Sequence, residues 1–166
     1  MRIAINAGHT INGAGYGAVS GAYRESEIVR KVKIEVIKQL RAKGHTVYDC
    51  TVDTSKTYLE DVVRMANSKP ADIFLSLHCN AGGGEGVEVF TWQGRKLDKA
   101  VHICYELSRL GFKNRGIKDG SKLYVVKKTK APAVLAELFF LDSTKDQSLY
   151  SNIGFKGIAK AISEAF

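Results

Sequence analysis

Apolar positions along the chain follow two alternating periods. Short runs with β-compatible residues occur at Arg2–Asn6, His45–Asp49, Ile73–Leu77, Val87–Trp92, Leu123–Val126 and Ala133–Phe139. Between them lie stripes of helical spacing. Ile28, Val32, Val36 and Leu40 recur every four residues, flanked by Val29 and Ile37, which predicts an amphipathic helix over about Ser26–Lys43, with Gly44 just past its end. Leu59–Asn67 reads as a second helix, and Pro70 marks the turn after it. Leu97, Ala100, Val101, Cys104 and Leu107 form a third stripe, stopped by Gly111, and Phe155, Ile158, Ala159, Ile162 and Phe166 a closing one. Strand–helix alternation with near-continuous apolar strands predicts an α/β sandwich on a mostly parallel sheet. Such sheets bind ligands beyond the carboxyl ends of their strands.

Four polar positions break this pattern where breaking it is costly. His9 follows the first strand and His78 ends the most buried one, so both fall on the same sheet edge. Each alone reads as a hydrogen-bonded histidine at a strand end. Two at matching positions, with a carboxylate source between them, read as metal ligands, since neutral imidazole is the commonest protein ligand for metals. The carboxylate comes from Arg24-Glu25-Ser26-Glu27, ahead of the first long helix and on the same edge. A His₂Glu set leaves one position open, as catalytic zinc does. Glu25 is preferred because it precedes the apolar stripe, whereas Glu27 can sit on the solvated face. Glu137 interrupts the apolar run Ala131–Leu141, where a carboxylate is costly unless paired, protonated or beside a metal. His45 and His102 read as surface positions.

Composition narrows the field. With 166 residues, 45% of them apolar, the chain suits one domain with a real core, and disorder is excluded. Cys50, Cys79 and Cys104 are odd in number and lack a CxxC pair, so they read as reduced, buried thiols. The N-terminus is a strand start with no signal-type apolar region, and no run is long enough to cross a bilayer. The net charge of +8 favours an anionic partner. Residues 109–130 carry eight Lys or Arg against one acid, Asp119, and thus nearly all of that charge. They lead into the Glu137 run and are expected to form one wall of a substrate groove. Nucleic acid is not the expected partner: Gly82-Gly83-Gly84-Glu85-Gly86 lacks the Lys and Ser/Thr of a phosphate loop, and Gly13, Gly15 and Gly17 do not give a dinucleotide fingerprint.

Five blocks in order resemble one family, the zinc-dependent N-acetylmuramoyl-L-alanine amidases of the type 3 catalytic domain, found in autolysins and phage endolysins. They are Gly8-His9, Glu25 ahead of the long helix, Ser76-Leu77-His78-Cys79-Asn80-Ala81, Asn114-Arg115-Gly116, and Pro132–Glu137. The resemblance spans nearly the whole chain. It implies a three-layer α/β/α sandwich around a twisted sheet of about six strands. It also implies one Zn²⁺ per chain on His9, Glu25 and His78, with Glu137 as the catalytic carboxylate and Asn80 and Arg115 as substrate contacts. The implied reaction is hydrolysis of the bond between N-acetylmuramic acid and L-alanine in peptidoglycan. The alternatives are a zinc peptidase acting on stem peptides and an inactive wall-binding relative. The expectation is a single catalytic domain over residues 1–166, monomeric by default, made without a leader and acting at the cell wall. A longer parent chain with a C-terminal wall-binding module is left open.

Overall fold

In the computed structural model, which describes residues 1–12 and 15–166, the chain alternates strands and helices as its periods require. The elements are β1 (Arg2–Ala7), a small antiparallel ribbon of β2 (Val19–Ser20) and β3 (Tyr23–Arg24), α1 (Glu25–Ala42), β4 (Thr46–Asp49), α2 (Tyr58–Asn67), β5 (Ile73–Asn80), β6 (Val87–Thr91), α3 (Asp98–Arg109), β7 (Asn114–Asp119), α4 (Tyr124–Lys128), β8 (Ala133–Phe140) and α5 (Thr144–Glu164). Six strands form one sheet in the order β4-β1-β5-β8-β6-β7, in which only the β6–β8 pair is antiparallel.

Side-chain alternation splits the core into two layers. Ile3, Ile5, Leu75, Leu77, Val134 and Ala136 meet α1, α3 and α5 on one face. Ala4, Phe74, Ala133 and Leu135 meet α2 and α4 on the other. The alternation carries Asn6, Ser76, His78 and Glu137 onto this second face. Asn6, Ser76 and Leu135 then share one register row, and His78, Glu137 and Glu88 share the next row toward the strand ends.

Two expectations are corrected. Leu123–Val126 is not a strand. Leu123 donates to the Gly120 carbonyl in a turn, and Tyr124–Lys128 forms α4, which buries Val125 and Val126 against the α2 layer. The β-branched residues favour a strand locally, but packing decides. The sixth strand is instead β7, an edge strand with a single aliphatic side chain, Ile117, and therefore almost no hydrophobic period to read. The closing helix begins at Thr144 rather than near Phe155. Ser143 caps it by accepting the Asp146 N–H at 3.2 Å, and it bends at Gly154, whose φ is +69°. Of the glycines in the first loop, Gly13 lies outside the described residues. Cys50, Cys79 and Cys104 are buried and free.

One contact sets where β1 delivers its loop. The Arg30 side chain is buried in α1 and donates to the carbonyls of Gly8 (3.3 Å), His9 (2.9 Å), Ser26 (2.9 Å) and Val52 (3.3 Å) and to Asp53 Oδ1 (2.9 Å). Hydrogen bonds from a charged donor are worth about 1.5–3 kcal/mol each, and unpaired buried carbonyls cost more than the lost bond. Arg30→Met should therefore destabilise the fold by roughly 2–4 kcal/mol in chemical denaturation, whereas Arg24→Met, at an exposed position on the same helix end, should change it little.

Candidate metal centre

His9 sits just past β1 with φ +61°, a left-handed conformation that costs a non-glycine residue energy and is held here by the Arg30 clamp. Its Nδ1 lies 3.1 Å from the Gly15 carbonyl. A carbonyl only accepts, so Nδ1 carries the proton, and a neutral ring then presents a lone pair at Nε2. That Nε2 lies 3.2 Å from Glu25 Oε1. Lone pair facing carboxylate is favourable only with a proton or a cation between them.

Glu25 is the first residue of α1 and is buried. Its Oε2 accepts the Ala18 N–H at 2.9 Å, and its Oε1 accepts the Cys79 N–H at 3.1 Å. His78 Nδ1 approaches the same Oε1 at 3.0 Å. Burial alone would raise the Glu25 pKa. The contacts with His78 and His9 outweigh burial and hold the carboxyl well below the usual carboxylate range. Among the described residues, His9, Glu25 and His78 bring one ligand atom each within 4.8 Å of one another. Glu27 is turned away, exposed and paired with Arg24 at 3.7 Å. The histidine rings stand edge to face, 5.0 Å apart. A Cβ at Gly8 would collide with the His78 ring, so a glycine is required there. The donor set, its convergence and the His9 lone pair fit a divalent metal.

His78 Nε2 lies 3.1 Å from Ser76 Oγ, one register row below. When His78 donates from Nε2, its Nδ1 is free to ligate. Asn6, Ser76's register partner, has a buried Oδ1 without a partner. Ser76 had no sequence signal beyond its place two residues before His78, and Arg30 none beyond a cation inside the buried face of α1.

Glu137 lies opposite His78 in the sheet. Its Oε2 is buried and unpartnered. Burial first, then the charges of Glu25 and Glu88, push its pKa up to about 8. Glu88, across the antiparallel ladder, is satisfied instead: Oε1 accepts from Asn80 Nδ2 at 2.8 Å and Oε2 from Arg115 Nε at 2.7 Å. Arg115 also lies over the Phe140 ring, 4.9 Å from its centroid. Asn80 and Arg115, expected as substrate contacts, are thus both tied to Glu88, a buried carboxylate the sequence reading passed over. The Gly82-Gly83 N–H groups go to Asp142 Oδ2, at 2.8 Å each.

A cleft of about 150 Å³ opens beside the cluster, between the His9 and His78 rings, Tyr58 and Leu59 of α2, and Tyr124 and Val125 of α4. Of the basic segment 109–130, this cleft takes its apolar residues and not its lysines. Lys127 and Lys130 line a different groove, so the expected cationic wall is not at this site.

Comparison with known proteins places these features in context. A family model described as N-acetylmuramoyl-L-alanine amidase matches residues 3–166. An uncharacterized protein of Clostridium perfringens is 35% identical over 99% of this chain and 51% of its own length. The endolysin of Bacillus phage SPP1 is 31% identical over 96% of this chain and 64% of its own. The chain thus spans about half to two thirds of the length of these relatives. A solved structure, the catalytic domain of the CD27L endolysin targeting Clostridia Difficile, superposes with a TM-score of 0.90 at 32% identity, covering 99% of this chain and 96% of that one.

Two measurements follow from the geometry. Ser76→Ala should weaken zinc or cobalt affinity about 10–100-fold in competition with a chromophoric chelator, with the fold retained; unchanged affinity would mean Ser76 does not orient His78. For Glu137 the folded pKa, about 8, exceeds the ordinary 4.5. The chelated protein therefore loses stability as pH rises from about 4.5 to about 8, where the unfolded chain ionises and the folded one resists. Glu137→Gln should be more stable than wild type at pH 8.5 and equal to it near pH 4 in parallel denaturation curves without metal.

Proposed function

Because the chain belongs to the N-acetylmuramoyl-L-alanine amidase family, we propose that it hydrolyses the amide bond between N-acetylmuramic acid and L-alanine in bacterial peptidoglycan. The reading takes residues 1–166 as a single catalytic domain working at the cell wall, with one zinc per chain. The observation that carries it is the buried, unpartnered Glu137 Oε2 in the register row of His78, beside three converging ligand atoms.

Zinc is preferred for a His₂Glu donor set, to be held by His9 Nε2, Glu25 Oε1 and His78 Nδ1. When bound, zinc supplies Lewis acidity toward the scissile carbonyl and lowers the pKa of water from about 15.7 toward 7. The remaining work falls to side chains. Glu25 stays anionic and, with the Cys79 and Ala18 amides holding its oxygens, keeps both rings aimed inward. Glu137 takes the proton of the attacking water at Oε2 and delivers it to the departing amine of L-alanine. Its apolar setting makes it a stronger base than an exposed carboxylate. Arg115 pairs with Glu88 and Asn80 donates to it, so that Glu137 is the carboxylate of this row left free for proton transfer. The remaining guanidinium nitrogens of Arg115 are assigned to contacts with the stem peptide, beside Asn80, whose Oδ1 also accepts the Ala81 N–H at 2.8 Å.

The test is product analysis of digested wall by mass spectrometry. A freed lactyl carboxyl on muramic acid with a new N-terminal L-alanine is expected; peptides cut within the stem would mean a peptidase instead. Glu137→Ala should keep one zinc per chain and lose about 10²–10⁴-fold in turnover, while His78→Ala should lose both metal and turnover. Near wild-type lysis by Glu137→Ala would remove Glu137 from its role.

A further inference from the structure

The cations left over from the site gather elsewhere. Of the eight in residues 109–130, Arg109 pairs with Glu106, Lys113 with Glu85 and Arg115 with Glu88. Lys127 and Lys130 have no ion-pair partner among the described residues. With Arg95 they border a groove of about 260 Å³ whose floor is the indole of Trp92 with Leu97 and Pro132. No carboxylate is in its lining among the described residues. The groove sits at the amino end of β8, by Ala133, whereas Glu137 and the metal cluster lie four residues on, about 13 Å along the strand. It is a separate place, at the far end of α4.

The lining has two chemical halves. Three cations without counter-charge favour a polymer that carries an anion on every repeat, because each fixed charge adds about 1 kcal/mol near an anionic surface. A half-buried indole with Leu97 and Pro132 favours the carbon face of a sugar or polyol rather than a bare ion. Single-stranded nucleic acid fits less well, since its platforms stack successive bases on several aromatics and this groove offers one.

We propose that this groove is a second, non-catalytic binding site for a phosphodiester-linked polyol polymer of the bacterial wall. It would hold the domain on the wall while the metal cluster works on the neighbouring peptidoglycan. That the polymer is wall-borne rests on the amidase reading above; the groove's selectivity for a polyol phosphate does not.

Trp92 is the only tryptophan in the chain, so its emission reports this groove directly. Titrating the whole chain with purified poly(glycerol phosphate) should shift that emission saturably, and added salt should weaken the response. The double variant Lys127→Ala/Lys130→Ala, at two exposed positions, should bind about tenfold more weakly or worse with an unchanged melting temperature. Turnover of a soluble muramyl peptide should stay within about twofold of wild type, since neither lysine touches the metal cluster. Absence of a shift in wild type, an equal shift in the double variant, or an equal response to a single-stranded oligonucleotide at matched phosphate would each overturn the proposal. A saturable, lysine-dependent shift in a protein without turnover would uphold the groove and count against the amidase reading alone.

Discussion

The buried carboxylate of Glu25 is the constraint on which the rest of this structure turns. An ionised carboxylate cannot be taken out of water without donors to replace it. Here two backbone amides replace water, Ala18 before α1 and Cys79 in β5, and the rings of His9 after β1 and His78 in β5 close on the same Oε1, where a cation would complete the set. Satisfying one side chain therefore docks the first loop, the first long helix and the central strand against one another. The strain of His9 in the left-handed region is held from behind by Arg30, which takes the His9 carbonyl as Glu25 takes the ring. The convergence of three potential ligand atoms follows from the same desolvation problem, and undoing it would strand a charge.

The second face of the sheet repeats the logic with the opposite outcome. His78, Glu137 and Glu88 stand in one row, and two carboxylates so close cannot both ionise freely. Arg115 and Asn80 go to Glu88, which is thereby the partnered member. Glu137 is left with burial and like charge, and its proton affinity rises into the range where it can both take and return a proton near neutrality. The pair is asymmetric because only one of its members was given donors.

Much of this was legible in the chain. The periods of α1 and β5 and the polar interruptions at His9, His78 and Glu137 were visible because each violates the apolar pattern around it. What stayed hidden was of two kinds. β7 has an edge strand's polar sequence, and α4 has a strand's Tyr-Val-Val in a helix; both depend on neighbours distant in sequence rather than on local preference. Ser76, Arg30 and Glu88 sit on the correct faces for their elements, and the strand period already sets Ser76 beside His78, but only register tells that Glu88 lies beside Glu137. Sequence gives the face of a strand and not its partner across the ladder.

Charge shows the same limit in its simplest form. The excess of cations in residues 109–130 points to an anionic partner, and reading it as one wall of one groove is natural while the segment is a line. Folding sorts the segment by what each residue must satisfy. Arg115 is drawn inward to a buried carboxylate, where its charge is spent on Glu88. Leu123 and Val125 close the cleft over the histidines, and Lys127 and Lys130 emerge at the opposite end of the same short helix beside Trp92. A helix of five residues is enough to separate the cleft beside the histidines from the cationic groove. That separation has a physical consequence: cations close to His9, Glu25 and His78 would offset the negative potential of Glu25 and lower the proton affinity of Glu137. The attraction for an anionic surface can be kept only if it is moved away from the chemistry, and α4 is the element that moves it.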